Sequence, residues 1–247
     1  AAMGYTPLEQ ICWKLGAMRL RLSTACEFYT TVNWRTCDIV TLIERQPRQA
    51  VMSEPPLVID VVDNGGQWTH REWRMLRYFG VDTKIIDNTT PLSELRDLDG
   101  LILSGGAARV GLTGELGNCG EYLELEIPIL GICAGHQFMA GYYGGAAAEA
   151  EEPEFGAAQI SLVNGGGKIF ANTPDSQTVW ESHNDEVSVV PPNFFITASS
   201  KSCQVQGMEN ENGDRFGLQF HPEVNDSEYG QNMFKNFIEI CKQARNS

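Results

Sequence analysis

The sequence predicts an α/β fold: an open, mainly parallel sheet with helices on both faces and antiparallel strands added at one edge. Three observations carry this. Apolar runs at residues 57–62, 100–103 and 127–130 read as strands buried on both faces. Each run ends in a glycine-rich turn: Gly65-Gly66, Gly105-Gly106, and the segment Gly131 to Gly135. Helix-like stretches separate the runs, so the chain alternates strand and helix.

Taken in order, 57–62 is the first strand and 63–67 a turn. Residues 68–79 read as a helix, with Trp73, Leu76, Tyr78 and Phe79 available to pack and Gly80 closing it. Residues 81–86 form a second strand, 92–98 a short helix, 100–103 a third strand and 119–125 another helix. The fourth strand, 127–130, runs into a helix at 138–143. Beyond Gly145, short strand-like pieces at 157–163, 178–180, 186–190, 195–199 and 204–208 alternate with turn residues such as Gly165-Gly166-Gly167 and Glu211-Asn212-Gly213-Asp214. A buried strand at 216–220 ends in His221-Pro222-Glu223, and an amphipathic helix at 232–241 follows. Residues 57–247 therefore read as one domain, and 1–56 as an N-terminal extension or linker. Within it, Ile11, Leu15, Met18 and Leu22 have helix-like spacing, and Pro47, Pro55 and Pro56 mark a linker. Met52 stands just before the first strong strand, and the expectation is that the functional protein begins near it; a docking arm is the alternative.

The net charge of −14 argues against nucleic-acid and anionic-membrane surfaces. It is uneven: residues 1–51 carry +2 and the remainder −16. No run approaches the roughly 20 apolar residues of a membrane span, and no signal-peptide pattern opens the sequence, so the expectation is a cytoplasmic protein. The seven cysteines include no CxxC pair, and no two histidines or cysteines share ligand spacing, so no metal is expected.

In open α/β sheets, sites lie beyond the C-terminal strand ends. There the sequence places a strand, a tight turn and a helix around Gly131-Ile132-Cys133-Ala134-Gly135, a nucleophile elbow. A cysteine at a helix N-terminus favours thiolate over thiol; the alternative is a core cysteine. The nucleophile needs a base, and the base an orienter. His221 stands at a strand end on the same edge, and Glu223, two residues on, can fix its tautomer. The N–H groups of Ala134 and of Gly106 are candidate oxyanion donors. His136, inside the elbow helix, reads as a packing residue; Cys203 and Cys241 read as core or surface thiols.

The motifs at 131–137, 104–106 and 221–223 resemble class I, triad-type glutamine amidotransferases, over about residues 57–243. That resemblance implies a flavodoxin-like sheet. It also implies Cys133, His221 and Glu223 as triad, Gly106 and Ala134 as oxyanion hole, and Gln137 and Gly105 at the L-glutamine site. Segments 63–71, 88–92, 182–187 and 228–230 are similar to the glutaminase subunits of GMP synthases, the archaeal type with a separate synthetase chain. This implies His183 and Asp185 as binding or coupling residues. It also implies an ATP pyrophosphatase partner, with no cofactor in this chain and ATP and Mg on the partner. Ala107 departs from the usual proline. Still open are a γ-glutamyl hydrolase, a cysteine-elbow hydrolase or chaperone of similar shape, a non-catalytic regulatory chain, and a glutaminase subunit of anthranilate or carbamoyl-phosphate type.

Overall fold

The computed structural model describes residues 29–33, 38–42 and 55–247, and the chain divides at Glu54/Pro55 into two compact units. In the first unit, β1 (Tyr29–Asn33) and β2 (Asp38–Leu42) pair antiparallel, with Tyr29 opposite Leu42 and Asn33 opposite Asp38. The helix-like spacing at 8–22 and the expected start near Met52 lie outside the described residues.

The second unit is built on nine strands: β3 (Ile59–Asn64), β4 (Ile85–Asp87), β5 (Gly100–Gly106), β6 (Ile129–Ile132), β7 (Ala146–Leu162), β8 (Ser176–Val189), β9 (Phe194–Ser199), β10 (Gly207–Asn210) and β11 (Arg215–Leu218). They lie in the order β4-β3-β5-β6-β11-β10-β9-β7-β8. The first five are parallel neighbours, and every later pairing is antiparallel. This is the expected architecture.

Helices cover both faces. On one, α1 (Thr69–Tyr78) and α5 (Gly230–Arg245) bring Leu76, Phe234 and Phe237 against Ile59, Val61, Ile102, Leu130 and Phe216. On the other, α2 (Val110–Thr113), α3 (Cys119–Tyr122) and α4 (Ala134–Tyr142) bring Val110, Tyr122 and Met139 against Val62, Leu101, Leu103 and Ile129. Neighbouring strand residues thus face opposite cores, which is why these strands carry consecutive apolar residues such as Val61-Val62 and Leu101-Ile102-Leu103.

Several elements differ from expectation. The helix expected at 92–98 is one 3-10 turn, Leu92–Glu94; Leu95 turns extended at ψ 138, and Leu95 and Leu98 pack on the core from irregular backbone. The strand expected at 81–86 is regular only over Ile85–Asp87, because the Lys84 N–H bonds the Asp60 side chain at 2.7 Å. That carboxylate is itself held by Arg96. The 119–125 helix stops at Tyr122. The pieces expected at 178–180 and 186–190 are one strand, β8, and the piece at 157–163 belongs to β7, which starts at Ala146.

The β7–β8 ribbon explains how a distant edge reaches the site. The outer edge of β8 bonds the loop after β11: His221 N–H donates to Trp180 O at 2.9 Å, and Trp180 N–H to Ser227 Oγ at 2.9 Å. Thr178 N–H donates to Glu228 Oε2 at 2.7 Å. The antiparallel half therefore curls back over the ends of the parallel half.

Candidate active site

Cys133 follows β6 directly and caps α4, with φ 49 and ψ −104. A left-handed φ on a non-glycine residue is uncommon and marks a strained position held by its surroundings. Two glycines make the turn fit. A Cβ on Gly131 would come within 2.7 Å of Gly135 backbone, and one on Gly135 would strike the Leu103 carbonyl. The Cys133 N–H donates to Leu218 O at 2.8 Å, fixing the elbow to β11.

His221 comes from the far side of the same strand end. Its Nδ1 bonds Glu223 Oε1 at 2.7 Å, and it lines the same cavity as Cys133. With Nδ1 committed to Glu223, Nε2 is the nitrogen left for sulfur. The Trp68 ring stands edge-on to the imidazole, centroids 4.4 Å apart. A Cβ on Gly105 would lie 2.9 Å from His221 Cε1 and 3.5 Å from Cys133 Cβ, so the end of β5 presses on both. Burial alone would pull the His221 imidazolium down. The Glu223 carboxylate, with the neighbouring Cys133 sulfur, outweighs it and holds the pKa well above the ordinary histidine value.

These groups line a cavity of about 270 Å³ that also includes Gly105, Gly106, Ala134, Gln137, His183 and Asp185. All nine residues expected at the site are therefore brought together. Gln137 donates through Nε2 to Asp185 O at 2.5 Å and to Gln219 Oε1 at 3.2 Å. His183 bonds Asp185 O through Nδ1 at 3.1 Å and Glu154 Oε2 through Nε2 at 3.0 Å. His136 is fully buried against Val205 O, and burial lowers its pKa to about 3, so it is a neutral packing residue. Cys203 and Cys241 are buried thiols.

Other residues at the site were not singled out in the sequence. Glu72 lines the cavity, 1% exposed, with Oε2 free of hydrogen bonds among the described residues. Burial, then the nearby Glu223 carboxylate, push its carboxyl well above the usual range. The signal was available: Thr69, Glu72 and Leu76 are the buried positions of α1, so Glu72 stands in the stripe facing the sheet. Gln219 Nε2 lies 3.8 Å from the thiol and is fully buried, a polar residue directly after β11. Arg109 binds Asp185 Oδ1 through Nε at 2.8 Å and Nη2 at 2.6 Å, while Gly111 N–H donates to Asp185 Oδ2 at 3.2 Å. These bonds fasten the segment after Gly106, where Ala107 replaces the rigid proline. Nothing in the local sequence announces that pairing across 76 residues.

A group with metal-ligand chemistry also assembles: Glu154, His183 and Cys203 place ligand atoms within 4.8 Å of one another. No local pattern points to it, because the residues are far apart in the chain. His183 Nδ1 lies 3.1 Å from Asp185 O and Nε2 lies 3.0 Å from Glu154 Oε2.

The family model for class-I glutamine amidotransferases matches residues 60–241. The chain belongs to that family. A relative from Thermoplasma acidophilum, named as a subunit of glutamine-hydrolyzing GMP synthase, is 49% identical over 191 residues, 76% of this chain and 95% of the relative. One of the same name from Pyrococcus abyssi is 42% identical over 190 residues, 74% of this chain and 98% of the relative. A solved Thermoplasma acidophilum structure, described as a GMP synthase subunit, superposes with TM-score 0.74 at 48% identity, covering 78% of this chain and 98% of that one. A glutamine amidotransferase from Thermotoga maritima, at 23% identity and TM-score 0.58, covers 78% of this chain and 85% of its own and shares the amidotransferase fold. Among the described residues no helix is long and apolar enough to cross a membrane.

Proposed function

We propose that this chain is the glutaminase subunit of a two-chain GMP synthase. It hydrolyses glutamine to glutamate and ammonia, and the ammonia passes to a separate ATP pyrophosphatase subunit that aminates XMP. The observation that carries the chemistry is the line Cys133–His221–Glu223, with Nδ1 bonded to Glu223 at 2.7 Å and Gly105 packed against both the imidazole and Cys133. The names of the relatives supply the acceptor half of the reading.

Cys133 Sγ attacks the side-chain amide carbon and its proton goes to His221 Nε2. Glu223 stabilises the imidazolium and keeps its tautomer. The carbonyl oxygen, now an anion, is met by the N–H groups of Gly106 and Ala134. His221 returns its proton to the leaving nitrogen, ammonia departs, and a thioester remains. Water, deprotonated by His221, attacks the thioester; sulfur leaves and takes the proton back, giving glutamate. Gln137 and Gly105 shape the amide end of the site. Asp185 offers its carboxylate to the substrate's α-ammonium, and His183 holds the Asp185 backbone in place. Burial and the Glu223 carboxylate both favour the neutral form of Glu72, which limits negative charge beside the triad. No cofactor is assigned to this chain; ATP and Mg are assigned to the partner, because this chain lacks a Ser-Gly-Gly-x-Asp-Ser loop at Ser104-Gly105-Gly106-Ala107-Ala108-Arg109.

Cys133→Ala tests this in the complex with a candidate synthetase subunit, XMP and ATP. Glutamine-dependent GMP formation should vanish while ammonia-dependent formation persists. Surviving glutaminase activity would remove Cys133 as nucleophile; failure of any synthetase chain to couple would remove GMP synthesis while leaving hydrolysis.

A further inference from the structure

On the glutaminase reading, and resting on it, the cavity must also recognise the far end of its substrate. Glutamine carries an ammonium and a carboxylate at its α-carbon. A site selective for it must satisfy both, because a buried charge left unpaired is costly. Among the described residues lining the cavity, Arg109 is the one Lys or Arg. Its guanidinium is about one-third exposed, while its partner Asp185 is 3% exposed. The fixed fork of arginine suits a carboxylate.

Position agrees with this. Ser182 O lies 3.8 Å from Cys133 Sγ. Asp185 is three residues further along β8, roughly 10 Å away at about 3.3 Å per residue. The amide carbon and α-carboxylate carbon of glutamine are four bonds apart, roughly 5 Å with bonds of about 1.5 Å. A sulfur approach of about 3 Å and one charge-assisted hydrogen bond of about 2.8 Å cover the remainder. A glutamine with its amide at the thiol therefore sets its α-carbon beside the Arg109–Asp185 pair.

We propose that Arg109 is a specificity-determining residue that binds the α-carboxylate of the substrate, between the oxyanion strand and Asp185. In this structure the two side chains satisfy each other. With the α-carbon between them, guanidinium meets carboxylate and Asp185 meets ammonium, so four charges alternate and cancel. Because Arg109 stands three residues after Gly106, the same contact tightens the segment that carries the oxyanion donor. Recognition at the α-carbon is thereby linked to chemistry at the amide.

The test compares L-glutamine with its α-amide, in which the α-carboxylate becomes a neutral carboxamide, using the full chain in complex with a synthetase subunit. The ratio of the two kcat/KM values does not depend on the active fraction, so partial misfolding of a variant leaves it readable. Wild type should favour glutamine. Arg109→Met should lose roughly 10- to 100-fold of that preference, and Arg109→Lys should fall between them. An unchanged ratio in Arg109→Met overturns the inference while the glutaminase reading stands. So does a variant that hydrolyses glutamine faster at the same ratio, which would make the pair a latch. If the wild-type complex hydrolyses neither substrate, the glutaminase reading fails and the inference fails with it.

Discussion

His221 and His183 are both buried, both line the cavity, and both bond a glutamate, at 2.7 and 3.0 Å. His221 stands just past a parallel strand and keeps one nitrogen for the thiol. His183 lies within the β7–β8 ribbon and spends both nitrogens on oxygen, one on Glu154 and one on the Asp185 carbonyl. The same residue pair is a proton carrier in one setting and a brace in the other. What separates the two is whether a ring nitrogen is left unoccupied. Glu154 makes the contrast sharper: it also accepts from Ser200, Ser202 and Gln206, so it is the hub of a buried network.

The largest expected effect lies on the catalytic side. Glu223→Gln should reduce kcat by about 10³–10⁴, as loss of the orienting carboxylate does in such triads. It should also reverse the balance on His221. Burial then dominates, and the imidazolium should give up its proton at a lower pH than in wild type. NMR titration of the ring would follow this. In the wild type, stability from the raised His221 pKa is fully present below about 6.5, the unfolded value, and fades as pH climbs through the folded one. An unchanged titration in the variant would mean that Glu223 does not set the charge of the base.

On the bracing side the loss should appear in stability. Glu154→Ala strips a buried hydrogen-bond partner from His183 and should cost about 1–3 kcal/mol, a fall of roughly 2–4 °C in Tm per kcal/mol. Activity per folded molecule should drop far less than in Glu223→Gln. A variant as stable as wild type but catalytically dead would collapse the distinction between the two histidines.

The smallest effect concerns Glu181, fully buried, with both carboxyl oxygens unbonded among the described residues and one of them 3.4 Å from His183 Nε2. Burial, then Glu154, raise its pKa to about 8. A raised carboxyl favours the fold only while protonated, so its contribution is lost as pH rises from about 4.5 through about 8. Glu181→Gln should therefore raise Tm by a few degrees at pH 8, and the gain should disappear near pH 5. An equal gain at both values would point to packing instead.

Legibility followed the same divide. In the parallel half, strand ends, glycine turns and short motifs are local, and the elbow, base and orienter could be read from residues 131–137 and 221–223. The expected helix at 92–98 failed because Leu95 and Leu98 reach the core from irregular backbone, so apolar spacing there did not mean helix. In the antiparallel half, side chains meet across long separations. Arg109 and Asp185 are 76 residues apart, and Glu154 and Ser202 48 apart. Register sets these meetings, and the β7–β8 ribbon carries a shift between Glu149 and Glu154 that no residue pattern announces. Glu72 and Gln219 were legible in principle, as polar residues at apolar positions.

The outer edge of β8 has a consequence for how this molecule behaves in a crowded solution. An edge strand with unpaired backbone invites other chains to extend the sheet. Here Thr178 and Trp180 already hold the loop that carries His221 and Glu228. At the opposite border, β4 offers three residues ending in Asp87. Over Thr178 to Trp180 the β8 border is therefore occupied rather than open to strand addition. The loop that delivers His221 thus also covers that stretch of the sheet edge.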